Sequence, residues 1–371
     1  MHSPWRWLLP ISFISTAAQA QSSGWNMPVG VTDISRDIYG LHMTIFWICV
    51  VIGLIVFGVM FYSLFRYRHS KGAKPATFHE HTTVEVLWTA IPVLILVGMA
   101  VPATATLKNM YDTSEAELDV MIIGQQWRWR YEYLGEDVAF NSSMSTPWEQ
   151  IRGEEARDEH YLLDVDEPLV LPINRKVRFL MTSDDVIHSW WVPDLAVKQD
   201  TIPGFINENW VQINEPGIYR GQCAELCGVN HGFMPVVVHA VEEEEFEIWL
   251  AERKEAAEQE AMGVDREWEL DELMARGEPV YRAICASCHQ ADGQGAPPAF
   301  PALVNNDQLI DDLDWHIDRI LNGVSGTAMP AFRNTLNPVE IAAVVTYTRN
   351  AWDSDTGDAI QPAAIAEKIV Q

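Results

Sequence analysis

The chain has 371 residues, enough for two or three domains, and a formal net charge of −27 from 52 acidic and 25 basic side chains. That balance argues against a nucleic-acid partner, which needs a basic footprint, and favours a basic partner drawn in by long-range steering. The five cysteines include two close pairs, Cys223 with Cys227 and Cys285 with Cys288, that make chemical sense without a disulfide. Cys49 stands alone in an apolar run, where a thiol is a small hydrophobe.

Residues 1–20 read as a secretory signal. Arg6 supplies the positive start, 8–14 is apolar, and Ala18-Gln19-Ala20 is a small-residue cleavage site. That apolar run is too short to span a bilayer, whereas 41–65 and 84–107 are long enough. His42 and Glu85 are the only histidine, acidic or basic side chains in those two runs. The loop between them carries Arg66, Arg68, Lys71 and Lys74, so the positive-inside rule places it in the cytoplasm. Segment 21–110 is therefore expected to be an N-terminal stretch and a helical hairpin, with the rest of the chain exported. Glu85 is costly to place in lipid and is a proton-path candidate. Near the cytoplasmic end it can equally snorkel to water.

Segment 111–245 changes to short β-rich runs at 120–123, 169–171, 177–181 and 236–238, separated by Pro, Gly and Asn turns. Such spacing predicts a sandwich or Greek-key barrel. Within it, Trp127, Trp129, Tyr131 and Tyr133 alternate, as a core-packing row or as an aromatic surface for an electron donor. Near its end the chain reads Cys223-Ala-Glu-Leu-Cys227-Gly-Val-Asn-His231-Gly-Phe-Met234. Soft sulfur with an imidazole suits copper. Two cysteines this close can bridge a pair of ions, with His231 and Met234 completing the coordination on either side. A symmetric dinuclear site needs a second imidazole, and His188 in Asp-Val-Ile-His-Ser-Trp-Trp is the candidate. Glu225 can offer its backbone carbonyl, leaving the carboxylate to another subunit, a hard cation or water.

Residues 246–267 are charged and Glu-rich, and read as a solvated helix or linker with no specific role. A helical module is expected over 268–352, with helices at 268–283, 312–321 and 338–352, the last started by proline. Cys285-Ala-Ser-Cys288-His289 is the c-type haem attachment signature, with two thioether sulfurs and a proximal imidazole. Met329 lies far enough along the chain to reach the opposite haem face, and His/Met ligation raises the potential. Met274 is the rival, but its place on a predicted helix suits core packing. The tail 353–371 is expected to be disordered.

The hairpin, Val84-Glu85-Val86-Leu87-Trp88, Gln126-Trp127-Arg128-Trp129, His188-Ser-Trp-Trp-Val-Pro and the copper loop together resemble one family. It is subunit II of haem–copper cytochrome c oxidase, in the form with a fused cytochrome c domain, and the resemblance covers nearly the whole mature chain. The loop with His188 is highly specific, while the hairpin alone would be weak. The implied fold is a two-helix transmembrane hairpin, a cupredoxin-like β-barrel and an all-α class I cytochrome c domain.

The resemblance implies a dinuclear CuA centre bridged by Cys223 and Cys227, with His188, His231, Met234 and the Glu225 carbonyl as further ligands. It also implies magnesium at the Glu225 carboxylate, shared with subunit I, and covalent haem c on Cys285 and Cys288 between His289 and Met329. Trp127 matches the point where electrons enter CuA, and Asp184 and Asp185 match acidic positions near the donor-docking face. Glu85 matches the mouth of a proton channel into subunit I. The implied partners are subunit I, other oxidase subunits, and cytochrome c or another periplasmic donor. The implied place is the bacterial inner membrane, with both exported domains on the periplasmic side. The expected reaction relays electrons through haem c and CuA to haem a of subunit I, for oxygen reduction coupled to proton pumping.

One departure matters: the donor haem is on the same chain, and tethering raises its effective concentration. Whether that domain swings or sits fixed stays open. A membrane-anchored copper-delivery protein would share the cysteine pair and a histidine, but not Met234 or the haem module. A CuA-bearing subunit of a nitric oxide reductase would differ only in its partner.

Overall fold

The computed structural model describes residues 26–370, apart from 75, 76, 78, 334, 353 and 355. The expected secretory signal at 1–20 lies outside the described residues. Helices α1 (Asp33–Arg66) and α2 (Thr82–Met110) form the hairpin and overrun the predicted spans because polar flanks continue them. Thr32 and Ser35 close a capping box at the start of α1. At the start of α2, His81 Nδ1 accepts from the Val84 amide, and Glu85 Oε1 accepts from the His81 amide at 3.1 Å. The apolar side chains point outward, with Leu54 and Val101 each 71% exposed. Such surface belongs in hydrocarbon, where helices satisfy their own backbone polar groups.

Ten strands follow: β1 (Leu118–Gln125), β2 (Arg128–Tyr133), β3 (Val138–Ser142), β4 (Leu169–Pro172), β5 (Val177–Ser183), β6 (His188–Val192), β7 (Val197–Thr201), β8 (Asn207–Val211), β9 (Gly217–Cys223) and β10 (Pro235–Val241). A single helical turn, α3 (Trp148–Ile151), interrupts them. They form two five-stranded sheets, ordered β3-β2-β1-β5-β8 and β4-β10-β9-β6-β7, a cupredoxin-like sandwich. Alternation along β5 buries Val177, Phe179 and Met181, and along β2 it buries Trp129, Tyr131 and Tyr133. The aromatic row therefore divides. Three of its rings fill the core, while Trp127 precedes the strand and is half-buried.

The stretch expected to be a solvated helix or linker is a helix, α4 (Glu243–Val264), but a docked one. Its surface is charged, but Phe246 and Leu250 sit in the sandwich core, and Trp249 packs 5.2 Å from the Tyr133 ring. Apolar residues at positions 246, 249 and 250 make a helical stripe too narrow to show in the composition.

Beyond it, α5 (Leu270–Val280) runs through a π turn (Tyr281–Cys285) into α6 (Ala286–His289). Helices α7 (Asp307–Asp311), α8 (Leu313–Asn322) and α9 (Pro338–Asn350) complete the module, α9 capped by Asn337 and Glu340. The tail, expected to be disordered, carries α10 (Pro362–Val370), with Ile365 fully buried. Gln361 fixes it by accepting from the Trp268 amide at 2.9 Å and donating to the Trp268 carbonyl at 3.0 Å. The two exported modules also touch directly: Asn141 Nδ2 on β3 donates to the Thr335 carbonyl at 2.6 Å.

Candidate metal and haem sites

The first site forms where β6 and β9 lie side by side, which brings the start of one strand to the end of the other. His188 opens β6 and Cys223 closes β9. The two sulfurs lie 3.8 Å apart, well beyond a disulfide bond, and both cysteines are reduced. One ion about 2.3 Å from each sulfur would fit that separation. His188 Nδ1 is 4.0 Å from the Cys223 sulfur, and His231 Nδ1 is 3.5 Å from the Cys227 sulfur. One imidazole nitrogen therefore accompanies each thiol. The Glu225 carbonyl is 3.3 Å from the Cys223 sulfur, while the rest of that residue is exposed. Met234 is buried, and its carbonyl accepts from the Cys223 amide at 2.9 Å.

The electrostatics suit a metal. A hydrogen bond from Cys227 pulls the Cys223 thiol far below the usual range, helped by His188 and two backbone contacts. The same sulfur–sulfur contact, with burial, pushes Cys227 up. A cation bound between the sulfurs would favour the thiolate form of both, since metal binding releases ligand protons. Burial disfavours the His188 cation, but the Asp185 carboxylate and the Cys223 sulfur more than offset it.

Asp185 is a residue whose part here composition and spacing did not reveal. Its Oδ1 is 2.8 Å from His188 Nε2, and its Oδ2 accepts from the Gln126 amide at 2.7 Å. It is engaged with the site rather than free for a donor, and it turns Nδ1 of His188 toward the sulfurs. An aspartate three residues before the histidine was the available signal. Gly124 leaves room for that ring, since a Cβ there would come 2.8 Å from His188 Cδ2. Trp127 Nε1 and Gln126 Nε2 both donate to the Cys227 carbonyl, at 3.1 and 2.8 Å. Gly228, at φ +119°, lets the loop lie flat on the Trp127 ring, where a Cβ would meet Cζ2 at 2.9 Å.

The second site lies at the end of α6. His289 is buried, and its Nδ1 is 2.9 Å from the Pro301 carbonyl, which leaves Nε2 for a metal. Burial lowers its pKa, so the imidazole is neutral and ready to ligate. Burial also pushes the Cys285 thiol up to about 12 and Cys288 upward. Met329 packs half-buried against the same core as Cys285. Met274, on α5, is also half-buried. Glu85 lies far from both sites in sequence, in the first turn of α2.

Residues 118–241 match the family model described as cytochrome c oxidase subunit II, periplasmic domain, and residues 20–105 match its transmembrane domain. A probable cytochrome c oxidase subunit 2 of Rickettsia bellii is 38% identical over 225 residues, covering 60% of this chain and 82% of the relative. The chain belongs to the cytochrome c oxidase subunit II family. A subunit II of Cereibacter sphaeroides is 34% identical over 248 residues, covering 63% of this chain and 82% of the relative. The crystal structure of the periplasmic domain of subunit II (CoxB) of Bradyrhizobium japonicum aligns at 36% identity and a TM-score of 0.35. That alignment covers 39% of this chain and 98% of the other. Residues 272–347 match the model described as cytochrome c oxidase, cbb3-type, subunit III. This subunit II is therefore a membrane-anchored electron-transfer subunit of a haem–copper oxidase, with an added cytochrome c domain. The periplasmic-domain match implies a CuA centre, and the cytochrome match implies a haem.

Proposed function

We propose that this subunit II serves a respiratory cytochrome c oxidase of the bacterial inner membrane. It would take electrons from a periplasmic cytochrome c or another carrier and pass them through its own haem c and a dinuclear CuA centre to haem a of subunit I. Oxygen reduction and proton pumping would follow there. The observation that carries this reading is the pairing of one imidazole Nδ1 with each of two reduced, buried sulfurs.

When bound, the copper pair and the haem supply reversible one-electron chemistry at the two sites. Cys223, Cys227, His188, His231, Met234 and the Glu225 carbonyl would hold the coppers. Cys285 and Cys288 would hold the porphyrin, and His289 and Met329 the iron. The chain's own part is to hold these ligands still. Asp185 fixes the His188 ring, Pro301 fixes the His289 ring, and the sandwich core excludes water from Cys223, Cys227 and Met234. Ligands fixed in this way need little rearrangement when an electron arrives.

The two donors on the Cys227 carbonyl support Trp127 as the point where electrons enter the loop. The exposed Glu225 side chain supports a magnesium ion shared with subunit I. Glu85, at the cytoplasmic start of α2, would stand at the mouth of a proton channel.

The test uses the purified oxidase complex with Cys223→Ser and Met329→Leu. Cys223→Ser should abolish the mixed-valence near-infrared absorption and stop electrons at haem c. Met329→Leu should leave the haem covalently attached but lower its potential, because a thioether ligand is lost. If electrons reach haem a at the wild-type rate in Cys223→Ser, the relay is wrong.

A further inference from the structure

One buried cation takes no part in holding either cofactor. Arg128 opens β2 directly after Trp127 and is only 4% exposed. Arginine is almost never fully buried without partners. On its own side, Arg128 Nε donates to Gln125 Oε1 at 2.8 Å, and Gln125 Nε2 donates to Asp184 Oδ2 at 2.8 Å.

The rest of the guanidinium faces the cytochrome domain. Its central carbon is 5.6 Å from the centre of the Phe332 ring, three residues past Met329. Burial pulls its pKa down to about 10, opposed by the charge of Glu340 on α9. Trp127 and Arg128 share a narrow crevice of about 60 Å³ with Arg282, Ile284 and Ser287 of the haem-attachment segment. The Asn141–Thr335 bond lies on the adjoining strand, β3. The chain's own haem-bearing segment thus covers the Trp127 face.

We propose that Arg128 is a positioning residue that seats the chain's own cytochrome domain on the Trp127 face, in the place a separate carrier would otherwise take. The proposal rests on the reading that the two sites hold haem c and CuA. The guanidinium lies over the Phe332 ring while its Nε fixes Gln125, a combination lysine cannot reproduce. Asp184 and Asp185, which a basic carrier would seek, are already bonded to Gln125, Gln126 and His188. With the Trp127 face covered, an external carrier would reduce the haem from the outer side of the cytochrome domain. The transfer Arg128 serves moves one electron from reduced haem to the oxidised copper pair. No bond is made or broken, and the carrier replaces that electron.

The test uses the whole oxidase complex with Arg128→Gln, Arg128→Lys and, from the other side of the seat, Phe332→Leu. Haem c and CuA absorption report that each variant has folded and loaded. Hydrogen exchange over 138–142 and 332–340 reports the seat, and rapid photoreduction of haem c reports transfer to CuA. Arg128→Gln and Phe332→Leu should keep both spectra and lose exchange protection in both segments. Haem-to-CuA transfer should slow about tenfold or more, as small misplacements of reacting groups do. Arg128→Lys should fall between Arg128→Gln and the wild type.

Direct reduction of CuA by added cytochrome c should rise in Arg128→Gln. Unchanged exchange and an unchanged transfer rate in both Arg128→Gln and Phe332→Leu would overturn the proposal and leave the relay standing. If Arg128→Gln fails to load, Phe332→Leu alone decides by the same two measurements. Absence of CuA absorption from the wild-type complex would instead overturn the relay itself.

Discussion

Gly124→Ala reaches the ring of His188 without altering any proposed ligand. A Cβ at position 124 would sit 2.8 Å from His188 Cδ2 and 2.7 Å from Thr201 Oγ1. Carbon atoms settle about 3.5–4.0 Å apart, so the ring must retreat by about 0.7 Å or more. It has little freedom to do so, because Asp185 holds Nε2 at 2.8 Å and the Trp129 ring lies 6.0 Å away. Metal–ligand distances tolerate only about 0.2 Å. Overpacking alone should cost about 1–3 kcal/mol of stability. Disturbing the ligand's orientation should weaken copper retention about 10–100-fold.

The assay is copper loss from the purified complex to a graded series of chelator concentrations, followed by near-infrared absorption. A companion His188→Ala variant removes the clashing atoms. In that background the stability cost of Gly124→Ala should shrink, with a coupling of about 0.5–3 kcal/mol. Wild-type copper retention in Gly124→Ala, together with strict additivity in the pair, would refute the steric argument.

Two further outcomes follow from the packing of the exported part. Phe246→Ala removes a ring that is 1% exposed and packs on Tyr133 and Trp249. It should cost about 3–5 kcal/mol and open α4 to limited proteolysis, and unchanged protease resistance would contradict a docked helix. His316, on α8, is buried, and burial lowers its pKa from 6.5 to about 3, with Arg349 adding to the effect. The folded protein keeps it neutral while the unfolded chain takes up a proton. Its contribution is therefore complete above 6.5 and is lost on acidification, at about 1.4 kcal/mol per pH unit until about pH 3. Melting of the cytochrome domain should fall from about pH 7 to about pH 5, and less steeply in His316→Gln. Equal slopes would mean that His316 is not the group responsible.

What could be read from the chain depended on how local each signal is. The copper loop and Cys285-Ala-Ser-Cys288-His289 hold their candidate ligands within a few residues, so spacing alone pointed to the chemistry. His188 was found by the need for a second imidazole, although β6 and β9 had to meet before it could serve. Arg128 was not legible, because an arginine between two tryptophans reads as a solvated position until a second domain covers it. The docked character of α4 was hidden for a related reason. Glutamates dominate its composition, and the apolar stripe through 246, 249 and 250 has meaning only against Tyr133. In the tail, α10 and Gln361 gain long-range partners from α9 and Trp268, which sequence distance concealed.

The 22 residues of α4 make a rod about 33 Å long, at 1.5 Å per residue. Its first turns are sunk in the sandwich, and near its far end Trp268 Nε1 donates to the Gly263 carbonyl at 2.8 Å. Residues 265–269 alone separate this rod from α5. A cytochrome domain that leaves its seat can therefore only pivot on that short hinge, and its return is a first-order event. Partners that meet by diffusion slow down as they are diluted, and their charge steering fades as salt shortens the screening length to about 8 Å. In the proposed relay, the transfer from haem c to CuA would have neither dependence. Its speed would be set by a hinge angle, whatever the abundance of carriers or the salinity outside the membrane.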